Sequence, residues 1–172
     1  MKNIPLSRFV SVALACMLLA GCSVSYKLNG TYIDYNVVKT ITLEAFANRA
    51  SYQWSPMASM FNNTLSDAYN RQTKLKQVKK EGDLVVAGEI TSYDQTNKSV
   101  SADGYSSMVQ LRMAVSVRYT NNTNHNDDFE KTFSSTRDYD SSQQLSAVQE
   151  ELVQQMIDDI VDQIFNETVA KW

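Results

Sequence analysis

Apolar and polar side chains alternate most regularly between Val109 and Tyr119. Every second residue of this stretch is apolar, and the residues between them are Gln110, Arg112, Ala114, Ser116 and Arg118. A period of two is typical of a strand with one buried face and one wet face, as in antiparallel sheets. We therefore predict a strand here, with its odd-numbered side chains in the core.

Three other stretches predict strands because they are rich in β-branched or aromatic residues and are bounded by turn-forming residues. They are residues 36–46, residues 84–93, and the stretch marked by Phe129, Phe133 and Tyr139. Gly88 inside the second of these indicates a bulge or a close approach of another part of the chain. A short edge segment, residues 75–78, precedes residues 84–93. Residues 79–83, Asn97–Gly104 and Asn121–Asp128 are predicted to be turns or loops.

Two stretches repeat apolar residues at steps of three and four, which predicts helices. The first ends near Gln72, and we expect Ser55 to cap it with Pro56 as its first helical residue. Its apolar face is rich in methionine, and core packing is favoured over a promiscuous binding surface. The second begins between Ser142 and Ser146, where Ser146 and Gln149 have the spacing of a capping box.

The order of these elements is β-α-β-β-β-α. The apolar stripe of the C-terminal helix needs a surface to dock on, and the buried face of the sheet is available. We therefore predict an α+β two-layer sandwich, with two helices packed on one face of a mostly antiparallel, mixed sheet. The stripe consists of Leu145, Val148, Leu152, Met156, Ile160 and Ile164, widened by Val153, Ile157, Val161 and Phe165.

The N-terminus has the pattern of an export signal. Lys2 and Arg8 precede an apolar run of about a dozen residues, and small residues then lead to Cys22. Leu19-Ala20-Gly21-Cys22 resembles the lipobox of bacterial lipoproteins. That resemblance implies cleavage before Cys22, a diacylglycerol on its sulfur and a fatty acid, such as palmitate, on its new amino group. The alternative is an ordinary cleavable signal with an incidental cysteine.

This interpretation divides the chain into three parts. Residues 1–21 are the signal peptide, residues 22–35 a lipid-anchored tether, and residues 36–172 a single domain. Removing the signal takes away two of the 16 basic residues and leaves 14 against 19 acidic ones, so the net charge changes from −3 to −5. An acidic domain is unlike a nucleic-acid binder. No second apolar run is long enough for a transmembrane helix.

Candidate catalytic residues are scarce. His125 is the single histidine of the chain and lies in an asparagine-rich turn, and there is no glycine-rich phosphate loop. Adjacent carboxylates such as Asp158 and Asp159 are typical of a solvated surface. We therefore predict that the protein is not an enzyme and has neither a metal site nor a cofactor.

Lysines crowd around the short segment 75–78. They are Lys74, Lys76, Lys79 and Lys80. The favoured interpretation is that they keep an exposed sheet edge from pairing with another chain. The alternative is a basic patch that binds the phosphate or carboxylate groups of an anionic ligand.

Several short stretches together resemble the LptE-type lipopolysaccharide-assembly lipoproteins, in the form found in Bacteroidetes. They occur in the right order, and the similarity spans nearly all of the mature chain. They are Ser25–Gly30, Lys39–Ile41, Ala47–Ala50, Gln72–Leu75, Gly82–Leu84, Gly88–Tyr93, Asp138–Gln143 and Ile164–Asn166.

The resemblance implies an outer-membrane lipoprotein on the periplasmic side. Its partners would be a large β-barrel translocon of the LptD type, whose lumen it plugs and whose assembly it supports, and lipopolysaccharide in transit to the outer leaflet. Abundant exposed Asn, Gln, Ser and Thr are compatible with a polar barrel lumen. The rival hypothesis is a free-standing periplasmic lipoprotein that binds a small or lipidic ligand in an enclosed apolar pocket.

Overall fold

The computed structural model describes residues 33–100 and 106–169, without the side chains of residues 99, 100, 106 and 107. Two helices pack on one face of a six-stranded sheet, which confirms the predicted α+β class. The helices are α1 (Met57–Gln72) and α2 (Leu145–Thr168). The strands are β1 (Thr40–Leu43), β2 (Ala47–Asn48), β3 (Lys76–Gln77), β4 (Leu84–Val100), β5 (Ser106–Asn121) and β6 (Phe129–Asp140).

The sheet has the order β3-β1-β4-β5-β6, and β2 pairs with β4 beside this path. Pairings of β1 with β3 and β4, and of β2 with β4, are parallel. Strands β4, β5 and β6 form a long antiparallel meander. The sheet is therefore mixed, as predicted, with its longest strands antiparallel.

The prediction of one strand over residues 36–46 is wrong in detail, because Phe46 interrupts it. The Phe46 side chain is fully buried and contacts the Phe61 ring of α1 at 5.0 Å between centroids. The backbone of Phe46 pairs with the side-chain amide of Asn62 of α1. The Phe46 N–H donates to Asn62 Oδ1 at 2.8 Å, and Asn62 Nδ2 donates to the Phe46 carbonyl at 3.0 Å. Insertion of this ring leaves one short strand on each side of Phe46, β1 before it and β2 after it.

Gly88 lies where the Phe46 ring meets the sheet. A Cβ at this position would stand 2.5 Å from the Phe46 ring and 2.1 Å from the Ser116 carbonyl oxygen. The close approach predicted for Gly88 is therefore confirmed. The irregular register of β4 comes later, between Ile90 and Ser92.

The helix α1 begins at Met57, with Pro56 in the capping position and no side-chain cap. The predicted Ser55 cap is wrong, because a tight turn precedes the helix, with the Met57 N–H bonded to the Trp54 carbonyl at 3.1 Å. The apolar stripe of α1 is in the core as predicted. Met57, Phe61, Leu65 and Tyr69 are buried, and Met60 packs against them.

The capping box predicted for α2 is also wrong. The helix begins at Leu145 after Gln144, with no side-chain cap. Gln149 is buried instead and donates its amide to the Tyr93 hydroxyl at 3.1 Å. At the other end of α2, the Thr168 hydroxyl bonds the buried Tyr69 hydroxyl of α1 at 2.5 Å, and burial raises the pKa of Tyr69 well above its usual range. Both helices are thus tied to their neighbours by buried polar contacts.

The connection from β3 to β4, which includes residues 79–83, carries the chain across β1. The Gly82 N–H donates to the Thr42 hydroxyl (3.1 Å), and a Cβ on Gly82 would lie 2.6 Å from the Thr42 nitrogen. The Asp83 carboxylate accepts from the Lys39 and Thr40 N–H groups and from the Thr40 hydroxyl at 2.8–2.9 Å. These bonds lower the pKa of Asp83 and fix the connection over β1.

Candidate interaction surfaces

The domain has two ends that differ in structure. At the proximal end lie residues 33–38, the starts of β1, β3 and β4, and the turn from β5 to β6. Ile33, Val37, Leu84 and Asn124 line one shallow depression there, which places the incoming chain beside that turn. At the distal end lie the hairpin from β4 to β5 and the connection from β6 to α2.

The last part of the β4–β5 hairpin extends beyond the helices. We call it the distal arm and define it as Asp94–Val100 of β4 and Ser106–Gln110 of β5. All five residues from Asp94 to Lys98 are exposed, so neither face of β4 is covered here. The predicted loop at Asn97–Gly104 is wrong in its first part, because β4 continues to Val100 and pairs with β5.

Polar contacts hold the distal arm against β6. The Asp138 carboxylate accepts from the Lys98 ammonium at 2.6 Å and from the Gln110 amide at 3.0 Å. The Tyr139 hydroxyl donates to the Gln95 amide oxygen at 3.2 Å. The bonds from Lys98 and Gln110 hold the pKa of Asp138 below its usual range. The arm is thus bonded along β6, although its register is irregular between Asn97 and Val100, and Val109 still packs against the edge of the core.

The face of the sheet turned away from the helices is the open face. Its centre carries two cross-strand rows, Glu89 with Ser116 and Thr132, and Ser92 with Ala114 and Ser134. Arg118 and Glu130 form an ion pair of 3.3 Å at one side of a shallow depression of about 310 Å³. The centre of the open face therefore offers mainly hydroxyl and carboxylate groups for hydrogen bonds.

The four lysines singled out in the sequence lie together at the proximal end. All are exposed, and no ion pair involves them within residues 33–100 and 106–169. Lys76 belongs to β3, which is an edge strand as predicted. Lys79 and Lys80 lie instead in the connection that crosses β1. The predicted lipidation site, Cys22, and the signal peptide lie outside the described residues.

His125 occupies the turn that the sequence predicted. Its Nδ1 lies 3.0 Å from the Asp128 carboxylate, and its side chain is largely exposed. In the part of the chain that the structure describes, no group of three His, Cys, Asp or Glu side chains is arranged to hold a metal ion. Neither described helix combines the length and the apolar character that a bilayer crossing requires.

The space between helices and sheet is filled by side chains. Ile41, Leu65, Met113, Met156 and Ile160 are at most 1% exposed and belong to one continuous apolar cluster. An enclosed apolar pocket at this position, which the rival ligand-binding hypothesis requires, would have to displace them. The structure therefore counts against that hypothesis.

The distal arm is the feature that sequence reasoning missed. Residues 94–98 read Asp-Gln-Thr-Asn-Lys, with no apolar residue to show a period of two. Lys98, Gln110 and Asp138 form a cross-strand pattern of polar residues. This pattern can be recognised only when the register of all three strands is known. With its filled core, open polar face and projecting arm, the chain has the structure of a two-layer α+β domain.

Comparison with known proteins agrees with this class. The family model for LptE, lipopolysaccharide-assembly, matches residues 38–168. The chain belongs to this family of non-enzymatic assembly lipoproteins, and membership implies a role in lipopolysaccharide assembly. No curated protein gives a match.

Two solved structures show the same fold. A minor lipoprotein from Acinetobacter baumannii is 16% identical, with a TM-score of 0.52 over 76% of this chain and 92% of its own. The rare lipoprotein B from Shewanella oneidensis is also 16% identical, with a TM-score of 0.54 over 74% of this chain and 92% of its own. At such identities the likeness concerns the fold.

Proposed function

We propose that the protein is an outer-membrane lipoprotein that plugs a large β-barrel translocon of the LptD type and supports its assembly. In this role it helps deliver lipopolysaccharide to the outer leaflet. Lipidated Cys22 anchors it on the periplasmic side. Family membership supports the pathway, and the distal arm is the structural observation that favours the plug.

The arm has the properties that an insertion into a polar lumen requires. Gln95, Thr96 and Asn97 are uncharged, exposed and able to bond the polar wall of a barrel. The contacts of Asp138 hold the arm in one conformation before binding, which lowers the entropy cost of association. A preformed polar projection is therefore suited to the polar lumen of a barrel.

The dimensions agree with insertion from the periplasmic side. The 17 residues of β4 span about 55 Å, whereas the hydrocarbon core of a bilayer is about 30 Å thick. The distal arm therefore reaches into the barrel while the proximal end, where the tether joins, stays near the periplasmic headgroups. The open face, with its hydroxyl side chains, would line the inner wall of the barrel.

Site-specific photo-cross-linking in intact cells tests this proposal. A cross-linker at Asn97 in the distal arm is expected to capture a large outer-membrane protein, and a matched probe at the exposed Asn126 in the proximal turn is expected to capture little. Equal capture from both positions would contradict the insertion of the arm. Absence of capture from either, together with migration of the protein alone in mild detergent, would contradict the plug and favour the ligand-binding alternative.

A further inference from the structure

The proximal end carries a compact basic surface that the plug role does not use. We call it the basic corner and define it as Lys39, Lys74, Lys76, Lys79 and Lys80, all exposed. The Lys76 N–H donates to the Lys39 carbonyl at 2.9 Å, and the connection of residues 79–83 packs directly on β1. The five lysines therefore belong to three neighbouring segments.

Protection of a sheet edge explains only part of this cluster. Lys74 and Lys76 lie at the edge strand β3, where lysine discourages pairing with another chain. Lys39 precedes β1, which is paired on both sides. Lys79 and Lys80 lie outside any strand. Three of the five lysines thus have no edge to protect.

The charge of the corner is positive in a chain that is acidic overall. Glu81 and Asp83 lie in the same corner, so five lysines and two carboxylates give a local charge of +3. Asp34, Asp127 and Asp128 share the proximal end on the other side of the corner. There Asn122 of the turn from β5 to β6 donates to the Asp83 carbonyl at 2.8 Å and to the Gly82 carbonyl at 2.7 Å, and Asp127 lines the same depression as Val38. The side of the corner that is rich in lysine is therefore the β3 side, with Lys74, Lys76, Lys79 and Lys80.

The position of the corner identifies its partner. Only ten residues separate Cys22 from Ile33, and a chain of that length reaches at most about 36 Å. Lys39 follows six residues after Ile33. Toward the distal end, by contrast, α2 carries Glu150 and Glu151 in its second turn and no lysine or arginine. An anionic leaflet would therefore attract the lysine-rich side of the proximal end.

We infer that the basic corner binds the anionic phospholipid headgroups of the leaflet that holds the anchor, and thereby orients the domain with its distal arm pointing away from the tether. The inference rests on the proposed lipid anchor at Cys22. Lysine suits this role because its compact ammonium is a mobile point charge that needs no fixed ligand geometry. Several lysines near an anionic surface add their attractions.

Lysine labelling of the mature lipidated protein in vesicles tests the inference. The vesicles contain phosphatidylethanolamine with either phosphatidylglycerol or phosphatidylcholine, and a water-soluble amine reagent followed by mass spectrometry gives a rate for each lysine. In the anionic vesicles, labelling of the corner lysines is expected to slow about fivefold. Labelling of Lys98 in the distal arm serves as the internal control and is expected to stay unchanged. Salt at about 1 M, where the Debye length is about 3 Å, should abolish the difference.

A pair of variants gives a second readout. K79Q/K80Q is expected to reduce the protection of Lys74 and Lys76 in anionic vesicles, whereas the charge-matched control R49Q/R112Q, at exposed positions away from the corner, should leave it intact. Equal reduction by both variants would indicate a response to net charge and overturn the inference. Protection by inorganic phosphate in the phosphatidylcholine vesicles would identify an isolated phosphate site and overturn it as well.

The outcomes separate this inference from the proposed function. If the protein floats with neither kind of vesicle and its mass shows an unmodified Cys22, the anchor is contradicted and the inference is overturned with it. If the protein floats with both and its corner lysines react equally in both, only the inference is overturned.

Discussion

The two halves of the β4–β5 hairpin show how one pair of strands is stabilised in two different ways. In the proximal half, Leu84, Val86 and Ile90 of β4 and Val115 and Val117 of β5 are fully buried under the helices. In the distal arm, β4 continues with exposed polar side chains from Asp94 to Lys98, whereas Met108, Val109 and Gln110 of β5 are half-buried. The backbone ladder is common to both halves, so the difference lies in the side chains.

Because of this difference, we expect the proximal half of the hairpin to stabilise the fold and the distal arm to bind a partner. Burial of apolar surface is the main stabilising contribution in the proximal half. In the distal arm, stabilisation comes from exposed polar pairs such as Lys98 with Asp138, which contribute little each and weaken in salt. We therefore expect substitutions in the proximal half to unfold the domain and those in the arm to affect local order and partner binding.

The largest expected effect comes from Val115→Asp. Val115 lies between Ile90 and Phe133 on the buried face, and an unpaired carboxylate there costs about 3–5 kcal/mol. Ser134→Asp, at an exposed position on the open face, should change stability by at most about 0.5 kcal/mol. Urea unfolding followed by circular dichroism measures both.

If Val115→Asp fails to fold, the isosteric Val115→Thr, expected to cost about 1–3 kcal/mol, replaces it. Equal losses at residues 115 and 134 would mean that the faces of β5 and β6 are wrongly assigned.

The next largest effect is expected for Gly88→Ala. The added methyl group meets the Ser116 carbonyl, which cannot move without disturbing the β4–β5 ladder, so overpacking should cost about 3 kcal/mol. Thr96→Ala lies on the same strand in the distal arm and should cost at most about 0.5 kcal/mol. Thermal and urea unfolding measure the contrast. A mild Gly88→Ala together with a severe Thr96→Ala would reverse the proposed division of the hairpin.

The proximal half could be predicted from the sequence because its burial produces a period of two. The alternation from Val109 to Tyr119 placed five buried residues correctly, and Gly88 marked a close approach. Where a long-range contact decides the local structure, the sequence pattern failed. Phe46 leaves the ladder because it fits between Phe61 and Gly88, and Gln149 turns from a helix cap to the Tyr93 hydroxyl. Neither partner is near in sequence.

The candidate surfaces were predictable only in part. The four lysines are evident as a cluster in the sequence, but their relation to Lys39 depends on the parallel pairing of β1 with β3. The part of the distal arm that begins at Asn97 was predicted as a loop because exposed strands have no hydrophobic period. Its order comes from the register of β4, β5 and β6, which brings Lys98 and Gln110 to Asp138.

The smallest expected effect is an opening of the distal arm in acid. The contacts with Lys98 and Gln110 lower the pKa of Asp138, so the folded arm holds this carboxylate charged more strongly than the unfolded chain does. The resulting stabilisation is fully present above the ordinary aspartate pKa of about 3.9 and is lost as the pH falls through the lowered value. Hydrogen exchange at Thr96, Asn97 and Gln110, corrected for the intrinsic rates, should therefore reveal more opening at about pH 3 than at about pH 5.

The variant Asp138→Asn distinguishes this carboxylate from general acid destabilisation. It removes the charge, so the arm should already be more open at about pH 5 and should change less on acidification than the wild type does. Asp140→Asn is the matched control, because Asp140 lies two residues away on β6 and accepts from the Ser142 N–H rather than from the arm. The amides of the buried half, such as those of Val86 and Val117, should stay protected in all three proteins. If Asp138→Asn retains the full acid response of the wild type, the arm is held by something other than this carboxylate. The different stabilities of the two halves of the hairpin would then have to be explained by their backbone hydrogen bonds alone.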